Sequence, residues 1–141
     1  MGFLSLSAMK KLSTGLISTG VLPGAMMIAV GLAPALVPAA FASELPKMTA
    51  LWSEKFGVDL KPGYFFPFVG ACKLFGIASM WGLFGTVADY VCSILYAVLC
   101  GFATYQHRAF GEPIAPPVVI GTLCLVRLGL DMAAKSKAKA T

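Results

Sequence analysis

Apolar and polar positions divide the chain into long uncharged runs joined by short polar connections. Residues 12–43 carry no charge at all, a longer run than the about 20 apolar residues a helix needs to cross a bilayer. Pro23, Pro34 and Pro38 punctuate it, and each proline removes a helical hydrogen bond. The first span is therefore expected at about 22–41, kinked, with the residues before it near the membrane surface. Gly20 and Gly24 make a GxxxG spacing, which hints at close helix contact. The connection 44–62 is the longest polar stretch. Within it Leu45, Met48, Leu51, Trp52 and Phe56 recur at helical spacing, with Lys47, Glu54 and Lys55 off that stripe. This predicts a short helix over about 46–56, lying on the membrane surface or packed on the span ends. Lys61-Pro62-Gly63 reads as a turn.

The second span is expected at about 64–84, with Pro67 tolerated in its first turn. A joint at 86–89 is short enough to demand an antiparallel hairpin, and Asp89 suits the N-cap of a third span at about 90–106. After a proline-bearing loop at 109–117, a fourth span is expected at about 117–130. That run is short, so Arg127 is assigned to a snorkelling end, with Asp131 four residues on as its helical ion-pair partner. The tail 132–141 reads as polar and loose. The expectation is an all-α integral membrane four-helix bundle in a single domain, 1–141, with a short interfacial helix between spans 1 and 2.

Composition agrees. Of 141 residues, 58% are hydrophobic and 12% charged, and the mean hydropathy is +0.83, against about 25% charged in soluble domains. The net charge of +5 does not point to nucleic acid, because the basic residues gather at the ends rather than on a polar, aromatic-bearing surface. Lys10 and Lys11 stand at one end, and Lys135, Lys137 and Lys139 at the other. With four spans this places both termini on the cytosolic, stromal or matrix side. A cleaved leader is a rival reading, since Ala40-Phe41-Ala42 fits a cleavage site, but the apolar stretch is much longer than a leader's core. The start MGFLSL lacks the Ser or Thr of a myristoylation motif.

Three residues are candidates for ligand chemistry. Lys73 lies within the second span, about 9 Å along the helix from Pro67. It can snorkel to the interface, contact another span at Tyr96 or Thr104, or meet a lipid headgroup, quinone or pigment. His107, the single histidine, follows Gln106 at the end of the third span. It suits an axial ligand to chlorophyll or haem, or a proton-transfer group, as well as a plain interfacial residue. Cys72, Cys92, Cys100 and Cys124 fall in apolar segments with neither CxxC nor metal-ligand spacing. They read as small hydrophobes. No phosphate loop, catalytic triad or paired carboxylates stand out, and no carboxylate is expected within a span.

The segment PGYFFPFVGACKLFGIASMWGLFG and the later GFATYQHRAFGEP resemble the DoxX-like family of small four-helix membrane proteins. The first matches a Pro-aromatic-Pro-x-x-Gly-x-x-(Glu/Lys)-Leu-x-Gly run, and the second an Ala-x-x-x-His segment before a polar loop. The likeness covers about 20–130. It implies a four-helix bundle and roles ranging from quinone-coupled oxidation to thiol-stress and membrane-assembly complexes. Lys73 stands where many relatives carry Glu.

The expected function is a non-catalytic accessory or assembly subunit of a larger membrane complex, photosynthetic or respiratory, in an organelle's energy-transducing membrane. Its partners would be lipids and other membrane subunits. The alternatives are a membrane anchor for a quinone-linked oxidoreductase and a pigment- or lipid-binding module, with Lys73, Gln106 and His107 as the ligand contacts.

Overall fold

The computed structural model describes residues 5–140, of which 137 and 140 are described by their backbone alone. The start of the N-terminal head and the final residue of the tail lie outside them. The fold is all-α: the described residues form no strand, and four of their helical segments are long and apolar enough to cross a membrane. The order is α1 (Leu6–Ile17), a 3-10 turn (Ser18–Gly20), α2 (Val21–Leu32), a second 3-10 turn (Pro34–Leu36), α3 (Ala39–Phe56), α4 (Pro62–Met80), α5 (Gly85–Ala109) and α6 (Ala115–Ala140). The chain forms two compact units, one of residues 20–75 and one of residues 1–19 with 76–141.

In the 20–75 unit, α2 and α4 approach through glycine. A Cβ built on Gly70 would stand 2.5 Å from the Gly24 carbonyl oxygen, and one on Gly31 would stand 2.6 Å from the Gly63 carbonyl oxygen. Gly24 and Gly31 are seven residues apart on α2, as Gly63 and Gly70 are on α4. Seven residues is close to two helical turns, so each pair shares a face and the helices mate antiparallel, Gly24 to Gly70 and Gly31 to Gly63. Lipid tails are as apolar as the helix surface, so such contacts depend on fit rather than on a hydrophobic drive. On α3, Leu45, Thr49 and Trp52 are buried at helical spacing, and Phe41 meets the Phe66 ring edge-on at 6.2 Å. Thr49 Oγ1 donates to the Leu45 carbonyl at 2.8 Å beside the internal Pro46.

In the other unit, α1 and α5 pack on α6. Their core is Ile17, Ile77, Met80, Tyr96, Cys100 and Cys124. All four cysteines are free thiols, and Cys92, Cys100 and Cys124 are buried. Gly121 lets α6 come close to α5: a Cβ there would sit 3.0 Å from Cys100 Cβ.

Several expected boundaries move, each for a physical reason. The first crossing runs over Leu6–Leu32 rather than 22–41. Pro23 falls in the first turn of α2, where no N–H is needed, and the break comes instead at Pro34. The helix expected at 46–56 starts at Ala39, directly after Pro38, and continues through Pro46 in its interior. The second crossing ends at Met80 rather than 84. Gly82 and Gly85 take positive φ, 87° and 84°, which turns the chain through Trp81, Leu83 and Phe84 although these are apolar. The third helix therefore starts at Gly85 rather than 90, and the fourth continues to Ala140 rather than stopping near 130. The tail is helical, as suits its alanines and lysines.

Gly70→Val is expected to destabilise the detergent-solubilised protein by about 1–3 kcal/mol through overpacking. Gly101→Ala and Gly129→Ala, whose new methyl groups meet nothing within 4 Å, should leave the thermal midpoint unchanged or raise it. Thermal unfolding followed by circular dichroism separates the three.

Candidate functional site

The concentrated polar chemistry of the protein lies where α1, the end of α4, α5 and α6 meet. At its centre is Arg127, with no solvent exposure. It is the thirteenth residue of the 26-residue α6, far from the snorkelling end expected of it. A guanidinium stays charged and presents five N–H donors, and all five are used. Nε donates to Thr14 Oγ1 at 2.8 Å. Nη1 donates to Asp89 Oδ1 and to Ser93 Oγ, the latter at 2.9 Å. Nη2 donates to Asp89 Oδ2 at 2.9 Å and to the Met80 carbonyl oxygen.

Each acceptor is local chemistry put to a second use. Met80 ends α4, and the last carbonyls of a helix lack intrahelical partners; Arg127 fills that one. Thr14 Oγ1 donates back to the Lys10 carbonyl at 2.9 Å, and Ser93 Oγ to the Asp89 carbonyl at 2.8 Å. Both hydroxyls thus spend their hydrogen within their own helix and accept from Arg127 with their oxygen.

Asp89 is not the N-cap expected from its place before the third span. Phe84 occupies that position, without a side-chain cap bond, and Asp89 lies a full turn inside α5, 6% exposed. A carboxylate therefore does stand within a membrane segment. Asp89 Oδ2 also accepts from Lys10 Nζ at 3.1 Å, and Lys10 reaches Asp131 Oδ1 at 2.7 Å. The expected Arg127–Asp131 helical pair is replaced by two pairs between helices, Arg127–Asp89 and Lys10–Asp131, bridged by Lys10. Two cations and two carboxylates cancel. Charges this deep are tolerated when paired in the bundle interior, and here the pairing joins three helices.

The residues expected to bind a ligand lie elsewhere. Gln106 and His107 are half-buried in the last turn of α5. His107 Nδ1 lies 3.1 Å from Glu112 Oε2; it has no hydrogen-bond geometry there, so the contact becomes an ion pair only when the imidazole is protonated. The Glu112 backbone N–H donates to the His107 carbonyl at 2.8 Å, which folds the α5–α6 connection over the histidine. Lys73 is half-buried on α4 and belongs to the 20–75 unit. Among the described residues no group of three His, Cys, Asp or Glu side chains could hold a metal ion.

The signal for the charge cluster was present in the chain as a shared stripe. Asp89, Ser93, Tyr96 and Cys100 follow helical spacing on α5, and Cys124, Arg127 and Asp131 do so on α6. No protein-family model, curated protein or solved structure matches the chain.

Replacing one member of the central pair leaves the other as an uncompensated buried charge. Arg127→Leu or Asp89→Leu alone is expected to cost about 3–5 kcal/mol. The double variant Asp89→Leu/Arg127→Leu should recover most of that loss. Unfolding by denaturing detergent in mixed micelles measures the cycle, and additive losses would show the two side chains to be uncoupled.

Proposed function

We propose that this chain is a non-catalytic accessory or assembly subunit of a larger membrane complex. The observation that carries the reading is the saturation of Arg127. The charge cluster looks at first like a proton or substrate site, yet the guanidinium's five donors all go to acceptors on α1, α4 and α5. A group that is to bind substrate or pass protons needs coordination left over, whereas a group that joins helices needs none.

Large apolar side chains cover the outside of α5, where Val91, Ile94, Leu95, Val98 and Phe102 are exposed. In a membrane such a surface meets lipid tails or the helices of another subunit, and both suit the reading. The resemblance to DoxX-like proteins, some of them tied to assembly of membrane complexes, supports it from the sequence side. A photosynthetic or respiratory membrane is the home we propose, with the termini on its positively charged-loop side.

Mild-detergent extraction of a tagged chain from native membranes tests the proposal. It should migrate with a larger complex and carry no stoichiometric redox cofactor, and Lys73→Met and His107→Ala should leave the amount of complex unchanged. A quinone lost in Lys73→Met would favour an oxidoreductase anchor, and an absorbing pigment lost in His107→Ala would favour a pigment-binding module. A lone, catalytically active monomer would overturn the accessory-subunit reading.

A further inference from the structure

The cluster around Arg127 uses up the acidic side chains at its end of the unit. Asp89 and Asp131 neutralise Arg127 and Lys10. The unit's remaining carboxylate, Glu112, sits in the α5–α6 connection beside His107, at the opposite end of both helices. Lys11, Lys135, Lys137 and Lys139 are thus left without a compensating acid in the sequence around them. Lys11, Lys135 and Lys139 are exposed.

These lysines gather at one end. Lys11 is next to Lys10, which reaches Asp131. Lys135 is one turn beyond Asp131 on α6, and its Nζ lies 5.8 Å from the centre of the Tyr90 ring, on the residue following Asp89. Their depth is also set. The apolar run of α6 gives way to the lysine-bearing tail at Lys135, and Lys139 follows about 6 Å of helix rise beyond it. Ammonium groups on flexible stems just past an apolar span reach headgroup level rather than standing out in solution, and the Lys135 ammonium lies beside the Tyr90 ring.

We propose that this end of the unit binds the phosphate of anionic glycerophospholipids, through Lys11, Lys135 and Lys139 around Tyr90. The ammonium is a compact point charge on a flexible stem. It suits a mobile phosphate diester better than a fixed bidentate partner does. Each surface lysine strengthens attraction to an anionic leaflet by about fivefold, so three give a selectivity of order 100-fold. The inference rests on the membrane-spanning character of the helices and not on the subunit role. It is tested on the purified chain without any partner, so either can fail while the other stands.

The probe is spin-labelled phosphatidylglycerol against spin-labelled phosphatidylcholine, with the full chain reconstituted in phosphatidylcholine nanodiscs. The wild type should immobilise phosphatidylglycerol preferentially, and added salt should weaken the preference. Lys11→Gln/Lys135→Gln/Lys139→Gln should lower the preference by about 100-fold with an unchanged thermal midpoint, while the corresponding triple Lys→Arg variant retains it. Lys47→Gln/Lys55→Gln, on α3, should also retain it. Equal immobilisation of the two lipids by the wild type would overturn the proposal. So would full selectivity in the triple Gln variant, or an equal loss in the α3 variant.

Discussion

A guanidinium in a membrane helix cannot discard its proton, so the fold around Arg127 has to supply an anion and five acceptors. Much of the local architecture serves that requirement. α5 has to start early enough for Asp89 to be helical and buried. The chain has to turn sharply after Met80 so that a free terminal carbonyl faces the guanidinium. α1 has to bring Thr14 and Lys10 alongside. The positive-φ glycines at 82 and 85 are what make the first two compatible, because they close the α4–α5 joint within a few residues. Buried ion pairs are weak sources of net stability but strong selectors of arrangement, since any mispacked register strands a charge. On that view the cluster specifies which faces of α1, α5 and α6 meet.

The 20–75 unit achieves the same end without charge. α2 and α4 are held at backbone contact by glycines whose missing side chains are the fit itself. The two solutions tolerate different errors. A glycine contact fails when volume is added, whereas the ionic one fails when a partner is removed. Both avoid reliance on apolar burial, which has little force between helices already solvated by lipid.

The four apolar crossings were legible in the sequence because hydropathy is a sum over many residues and survives local misjudgement. The joints were not, because each depended on one or two residues whose context was invisible. Trp81, Leu83 and Phe84 are apolar and so extended the second span on paper, while the glycines beside them ended it in space. That four-residue shift moved Asp89 from the bilayer interior to a cap, and the apparent shortness of the last apolar run sent Arg127 to the surface. These two misplaced helix ends together hid the cluster. His107, Gln106 and Lys73 drew attention instead because they are chemically conspicuous one at a time, whereas the cluster is conspicuous only as a set.

The charged residues of the 1–19/76–141 unit divide by whether their charge is cancelled. Lys10 and Lys11 are neighbours of identical type, yet one is drawn inward by Asp89 and Asp131 and the other is exposed. Position on the helix decides it: Lys10 shares a face with Thr14 and Ile17, which are buried, and Lys11 is turned about 100° away. On α6 the division runs along the axis instead: Lys135 follows Asp131 by one turn on nearly the same face. Cancelled charges can sit at depth and hold helices together, while uncancelled ones must remain where water or a counter-charge can reach them. One short basic terminus therefore performs two tasks, and the 3.6-residue period of the helix assigns each lysine to one of them.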